Sequence, residues 1–93
     1  MTKPLLPLTE LLAGLSEECC ELGRAALKLR RVFDGGNPTP TTQEAAIENL
    51  EEEIADVTLY LDQIGYSRGR VAEIKEEKLA RWEARLRNAG IEY

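Results

Sequence analysis

Between Asp34 and Thr41 the chain reads Asp-Gly-Gly-Asn-Pro-Thr-Pro-Thr, and no helix can run through it. Proline has no backbone N–H to donate, and its ring clashes with the preceding turn. Paired glycines and an Asn-Pro step mark the same break. On both sides, apolar residues recur at the three-and-four spacing of an amphipathic helix. Upstream these are Leu8, Leu11, Leu15, Cys19, Leu22, Ala26, Leu29 and Phe33, and downstream Ile47, Leu50, Ile54, Val57, Leu61 and Ile64. Two long helices joined by a short loop predict an antiparallel hairpin.

The helix boundaries follow from local chemistry. The first helix is expected from about Leu8 to Phe33, with Thr9 as its N-cap and Pro4 and Pro7 keeping the preceding residues extended. The second should begin at a Thr42 cap, with Glu44 in its first turn favouring the dipole, and stop at Gly65. Ser67 can cap a third helix ending near Asn88-Ala89-Gly90, with a narrower stripe of Val71, Ile74, Leu79, Trp82 and Leu86. Strand-type alternation is absent. The expectation is a single all-α domain over residues 1–93, a helical hairpin plus a third helix.

Ninety-three residues leave a lone core thin, and oligomerisation is a common remedy. The first two stripes are too broad to cover one another, and the third is too narrow to cover the remainder. Two hairpins pairing across chains would close a four-helix-bundle core, so a homodimer or a dimer of dimers is expected.

A net charge of −5 argues against non-specific nucleic-acid binding. No apolar run reaches the ~18 residues of a membrane span, and the first residues lack a signal-peptide pattern. A cytoplasmic protein without membrane or nucleic-acid partners is therefore expected. The chain has no histidine, which removes the usual general base and any Ser-His or Cys-His nucleophile pair. Cys19 and Cys20 are adjacent, and neighbouring cysteines rarely bridge. Cys19 is read as a core residue and Cys20 as a bystander. Any catalysis must run on carboxylates, cations and a bound metal.

The acids are not scattered. On a helix turning about 100° per residue, Glu18 and Glu21 fall about 300° and 240° from Leu15. Glu53 and Asp56 fall at those same angles, about 300° and 240°, from Leu50. In an antiparallel pair, equal offsets land on one edge. Glu18 and Asp56 are centred on Asn37 in the sequence, as are Glu21 and Glu53, so all four should meet at one level. Glu17 points to the far side. Clustered carboxylates repel, and a cation is the simple compensation. An oxygen-only donor set without His or Cys selects Mg²⁺ or Mn²⁺ in the absence of an EF-hand loop. Basic residues dominate from Arg68 onward. Lys78 falls on the third helix's stripe and Arg85 at its border, where a cation needs an anionic partner: one of the site carboxylates, an acid elsewhere or a substrate phosphate. Tyr60 lies between Glu53 and Asp56 in angle and one turn beyond Asp56, where nucleotide contact and ordinary packing are both open.

At these residues the sequence resembles the MazG-like nucleotide pyrophosphohydrolases of the all-α NTP pyrophosphatase superfamily. Their E-E-x-x-E is matched by Glu17-Glu18-Cys19-Cys20-Glu21, and their E-x-x-D by Glu53-Ile54-Ala55-Asp56. Lys78 and Arg85 match the K-x₃-N-x₂-R tail, with Trp82 in the place of the Asn. The match covers about residues 10 to 88. The resemblance implies Mg²⁺-dependent hydrolysis of a nucleoside triphosphate to the monophosphate and pyrophosphate, in a dimeric or tetrameric helical protein. It implies Glu18, Glu21, Glu53 and Asp56 as metal ligands. Glu17, or one of the four not fully engaged, would be the base. Lys78 and Arg85 would sit on the phosphates, with Lys75, Arg81 and Lys28 as weaker candidates. One alternative is the related phosphoribosyl-ATP pyrophosphohydrolase, which carries Tyr-His after E-x-x-D where this chain has Tyr60-Leu61. The other is a non-catalytic helical interaction module of the same fold.

Overall fold

A computed structural model describes residues 3–35 and 41–90. The described residues form three helices and no strand: α1 (Leu8–Asp34), α2 (Gln43–Ile64) and α3 (Arg68–Asn88). The centre of the expected Gly/Pro loop, residues 36–40, lies outside the described residues. No helix among them is long and apolar enough to cross a membrane.

The caps follow the local chemistry, with one exception. Thr42 Oγ1 accepts the Ala45 N–H at 3.0 Å, and Ser67 Oγ accepts the Arg70 N–H at 3.3 Å. Gly65 ends α2 in the left-handed conformation (φ 75°), its N–H donating to the Leu61 carbonyl. Thr9 is not the N-cap of α1. The helix starts at Leu8, two residues before a Thr9 cap would place it, after Pro7, and no side chain caps it. The Pro7 carbonyl instead accepts from Glu10 and Leu11, each at 3.0 Å. Pro7 has φ fixed at −58° and no N–H to leave unsatisfied, so it enters the helix at little entropic cost.

α1 and α2 pack against each other along a seam that is not centred on the apolar stripes. The buried residues are Leu11 and Ala25 on α1, and Ala46 and Gln63 on α2. Leu11, Glu18 and Ala25 follow one another at heptad spacing on α1, and Ala46, Glu53 and Tyr60 do so on α2. Small residues explain the displacement. Ala25 and Ala46 let the backbones approach, and the Tyr60 ring lies where a side chain on residue 14 would stand. Gly14 alone makes room for it. At the end of the seam the Leu5 N–H donates to Gln63 Oε1 at 2.7 Å, tying the extended N-terminal segment across α2. That bond satisfies a side chain only 8% exposed.

Rotation of the seam leaves much of the apolar stripe open. Leu8, Ala26 and Phe33 on α1 and Ile54 on α2 are exposed, as are Leu12 and Leu27 beside the stripe. Cys19, expected in the core, is exposed for the same reason, and both cysteines are free thiols.

α3 packs on neither α1 nor α2 and buries no residue. The Arg68 guanidinium holds its start, pairing with Asp62 at 2.7 Å and stacking 5.7 Å from the Tyr66 ring centroid. The radius of gyration is 17.0 Å, against about 12 Å for a compact domain of this length. The third helix therefore leaves the hairpin uncovered within one chain.

Candidate metal centre

The seam carries its carboxylates at its middle. Glu18 sits one heptad after Leu11 and one before Ala25, and Glu53 stands likewise between Ala46 and Tyr60. Both are half-buried, while Asp56, on the next turn of α2, is exposed. One carboxylate oxygen from each of Glu18, Glu53 and Asp56 lies within 4.8 Å of the others. Glu53 Oε2 is buried with no hydrogen-bond partner. A buried acceptor left unmade costs more than an ordinary hydrogen bond contributes, so such an atom demands an explanation.

The electrostatics agree with the geometry. Burial pushes the Glu18 carboxyl above the usual carboxylate value, and the charges of Asp56, Glu53 and Glu21 push it further, as does a side-chain hydrogen bond to Asp56. The Glu53 carboxyl is raised by burial first and then by the charges of Asp56, Glu21 and Glu52. Partial desolvation and like charge both disfavour the ionised form. No basic side chain from α2 relieves this repulsion, because residues 43–64 contain no Lys or Arg.

Three of the four expected ligands thus converge, and the fourth stands beside them. Glu21 acts on both Glu18 and Glu53 through its charge, but its Oε1 pairs with Arg24 Nη1 at 3.1 Å. Glu17 is exposed and takes no part in the cluster. Lys78 and Arg85, expected over this edge, lie on the unpacked α3, as do Lys75 and Arg81. Sequence reasoning missed the close approach of Tyr60 to Gly14, one helical turn from Asp56 and Glu18 respectively. The signal was present, since Gly14 and Tyr60 are centred on Asn37 just as Glu18 and Asp56 are.

The donor set fits a hard divalent cation. All atoms offered are carboxylate oxygens, the charges that repel one another would be neutralised, and the orphaned Glu53 Oε2 would gain a partner. Comparison of the chain with protein-family models, with curated proteins and with solved structures finds no match. The residues themselves therefore carry the functional argument.

Proposed function

We propose that the chain is a Mg²⁺-dependent nucleotide pyrophosphohydrolase of the MazG-like kind, cleaving a nucleoside triphosphate, with ribose or deoxyribose, to the monophosphate and pyrophosphate. The observation that carries the reading is the meeting of Glu18, Glu53 and Asp56 within 4.8 Å, with a buried, unpartnered Glu53 oxygen among them. These three hold the cation. Glu21 joins them by leaving Arg24, which costs little because that ion pair is exposed. Mn²⁺ suits the same oxygens.

Bound there, a divalent cation would neutralise the phosphate chain and favour ionisation of water. The protein's own groups do the rest. The oxygen of a water molecule attacks one phosphorus of the α–β anhydride, the bridging P–O bond to that phosphorus breaks, and the monophosphate and pyrophosphate separate. A carboxylate takes the proton of the attacking water. Glu17, or a cluster carboxylate with a free oxygen, serves as this base. Lys78 meets the phosphates as a point charge and Arg85 as a fork.

The working form in this reading is a homodimer or a dimer of dimers. The open faces of α1 and α2, with Leu8, Leu12, Phe33 and Ile54 exposed, pair with those of a second copy to close a four-helix core. A panel of nucleoside triphosphates assayed for pyrophosphate release tests the activity. The expected result is release with Mg²⁺ and none with excess chelator. Absence of release from every nucleotide, with melting indifferent to Mg²⁺, would favour the interaction module instead.

A further inference from the structure

We infer that each site is completed in trans: α3 of a second copy lays its basic face on the carboxylate edge of the α1/α2 hairpin and supplies the cations that face the phosphates. The chemistry assigned to those cations rests on the pyrophosphohydrolase reading. The docking rests on the charge and packing of the chain itself.

α3 is a helix of 21 residues that buries none of them and packs on neither hairpin helix within the chain, meeting α2 through the Arg68–Asp62 ion pair at its start. Most helical stability in proteins comes from the packing of an amphipathic face, which α3 does not have within the chain. Trp82 is 59% exposed and Leu79 53%, so the apolar side of α3 is wet in the single chain. At roughly 100° per residue, Glu73, Glu76 and Glu83 share one side of α3, while Lys78 and Arg85 lie opposite with Val71, Ile74 and Trp82, and Arg81 borders them. Lys78, Arg81, Trp82, Arg85 and Asn88 adjoin one another along one open face of α3. None of Lys78, Arg81 and Arg85 forms an ion pair with a described residue, although Arg24, Arg68, Arg70 and Arg87 each do.

The hairpin has the complementary composition. α1 and α2 together carry twelve acidic and four basic residues, a net charge of −8, and α3 carries four and seven, a net charge of +3. A second copy is therefore an occupant whose surface is the electrostatic complement of this one. Repulsion among Glu18, Glu53 and Asp56 falls when Lys78, Arg81 and Arg85 approach, and the exposed Trp82 is covered in the same step. Twofold symmetry then gives two equal sites, each built from one hairpin and the other copy's α3. A site assembled this way exists only in the oligomer.

The test separates the two halves. Glu53→Gln removes the hairpin half, and the pair Lys78→Ala, Arg85→Ala removes the α3 half. The variants are co-expressed with different tags and the mixed dimer is purified through both. Each parent is expected to be inactive. The mixed dimer is expected to recover about half of the wild-type specific activity, because one of its two symmetric sites draws both intact halves. An inactive mixed dimer would overturn the trans assignment, as would full activity in the α3 parent. Should the wild type hydrolyse no nucleotide, the docking is read without activity. Carbodiimide cross-linking of an equal ¹⁴N/¹⁵N mixture is expected to join Lys78 to Glu18, Glu21, Glu53 or Asp56 in mixed-isotope peptides. Cross-links of one isotope only would place α3 on its own hairpin, and no cross-link from Lys78 to these acids would remove the docking altogether.

Discussion

The hairpin and α3 are built from the same kind of sequence, yet they meet opposite fates within one chain. α1 and α2 pack on each other and bury Leu11, Ala25 and Ala46. α3 has comparable length and good caps, and it buries nothing. Its stripe holds Lys78 and Arg85 among its apolar positions, so the stripe cannot dry out without anions opposite it. The hairpin shows the converse defect, with Glu18 and Glu53 in seam positions where apolar residues would pack better. Each region carries charge where packing alone would not put it. Local rules broken in this way are expected at functional sites.

The comparison breaks most sharply at the seam carboxylates. Glu18→Gln, Glu53→Gln and Asp56→Asn should each lower pyrophosphate release by roughly 100-fold or more, since each removes a group from the charged centre proposed to hold the cation. Circular dichroism should show unchanged helical content. Near-normal turnover of any one variant at saturating Mg²⁺ would remove that residue from the ligand set.

The packing side of the hairpin breaks next. Gly14→Ala puts a Cβ into the Tyr60 ring, and such overpacking typically costs about 1–3 kcal/mol. The melting temperature should fall, and Tyr60→Leu in the same chain should recover part of the loss. An unchanged melting temperature for Gly14→Ala would mean that the ring moves aside freely.

Lys78→Ala should weaken catalysis more than Glu17→Gln. Lys78 lies on the unpartnered basic face of α3, whereas Glu17 is exposed and outside the carboxylate cluster. Steady-state kinetics giving the reverse order would make Glu17 the base or Lys78 a structural residue.

The smallest effect is on stability against pH. The Glu18 and Glu53 carboxyls lie above their ordinary value of 4.5 in the folded chain. The native state therefore holds these protons more tightly than the unfolded state does, and stability falls as pH rises through and above that value. Metal-free protein should melt at a lower temperature at neutral pH than at mildly acid pH. Glu53→Gln should flatten this slope, and an equally steep slope in that variant would assign the effect to other acids.

Much of this was legible in the sequence. The Gly/Pro break and the Thr42, Gly65 and Ser67 signals give the three helices, because caps and breakers act through bonds a few residues away. The meeting of Glu18 with Asp56 and Glu53 follows from a hairpin centred on Asn37. The seam angle was not legible. Large apolar residues suggest a contact centred on Leu15 and Leu50, but small residues decide where backbones can approach, and Gly14, Ala25 and Ala46 shift the contact toward the carboxylates. Cys19 was misplaced into the core for that reason. The missing cover by α3 was also illegible, since the apolar pattern of a helix says that it will be covered and not by which chain. Thr9 lost the cap to Pro7 because a backbone carbonyl served as well as a hydroxyl.

The central claim is that the carboxylates of the seam form a divalent-cation site, and thermal melting of wild type and Glu53→Gln with chelator or with Mg²⁺, at neutral pH, tests it most directly. Without metal the variant should equal or exceed the wild type, because one repelling charge has gone. A ligand that binds only the folded state raises stability by RT ln(1 + [L]/Kd). Millimolar Mg²⁺ should therefore raise the wild-type melting temperature and leave that of the variant nearly unchanged, reversing their order. Two wild-type curves that superimpose with and without Mg²⁺ would contradict the account.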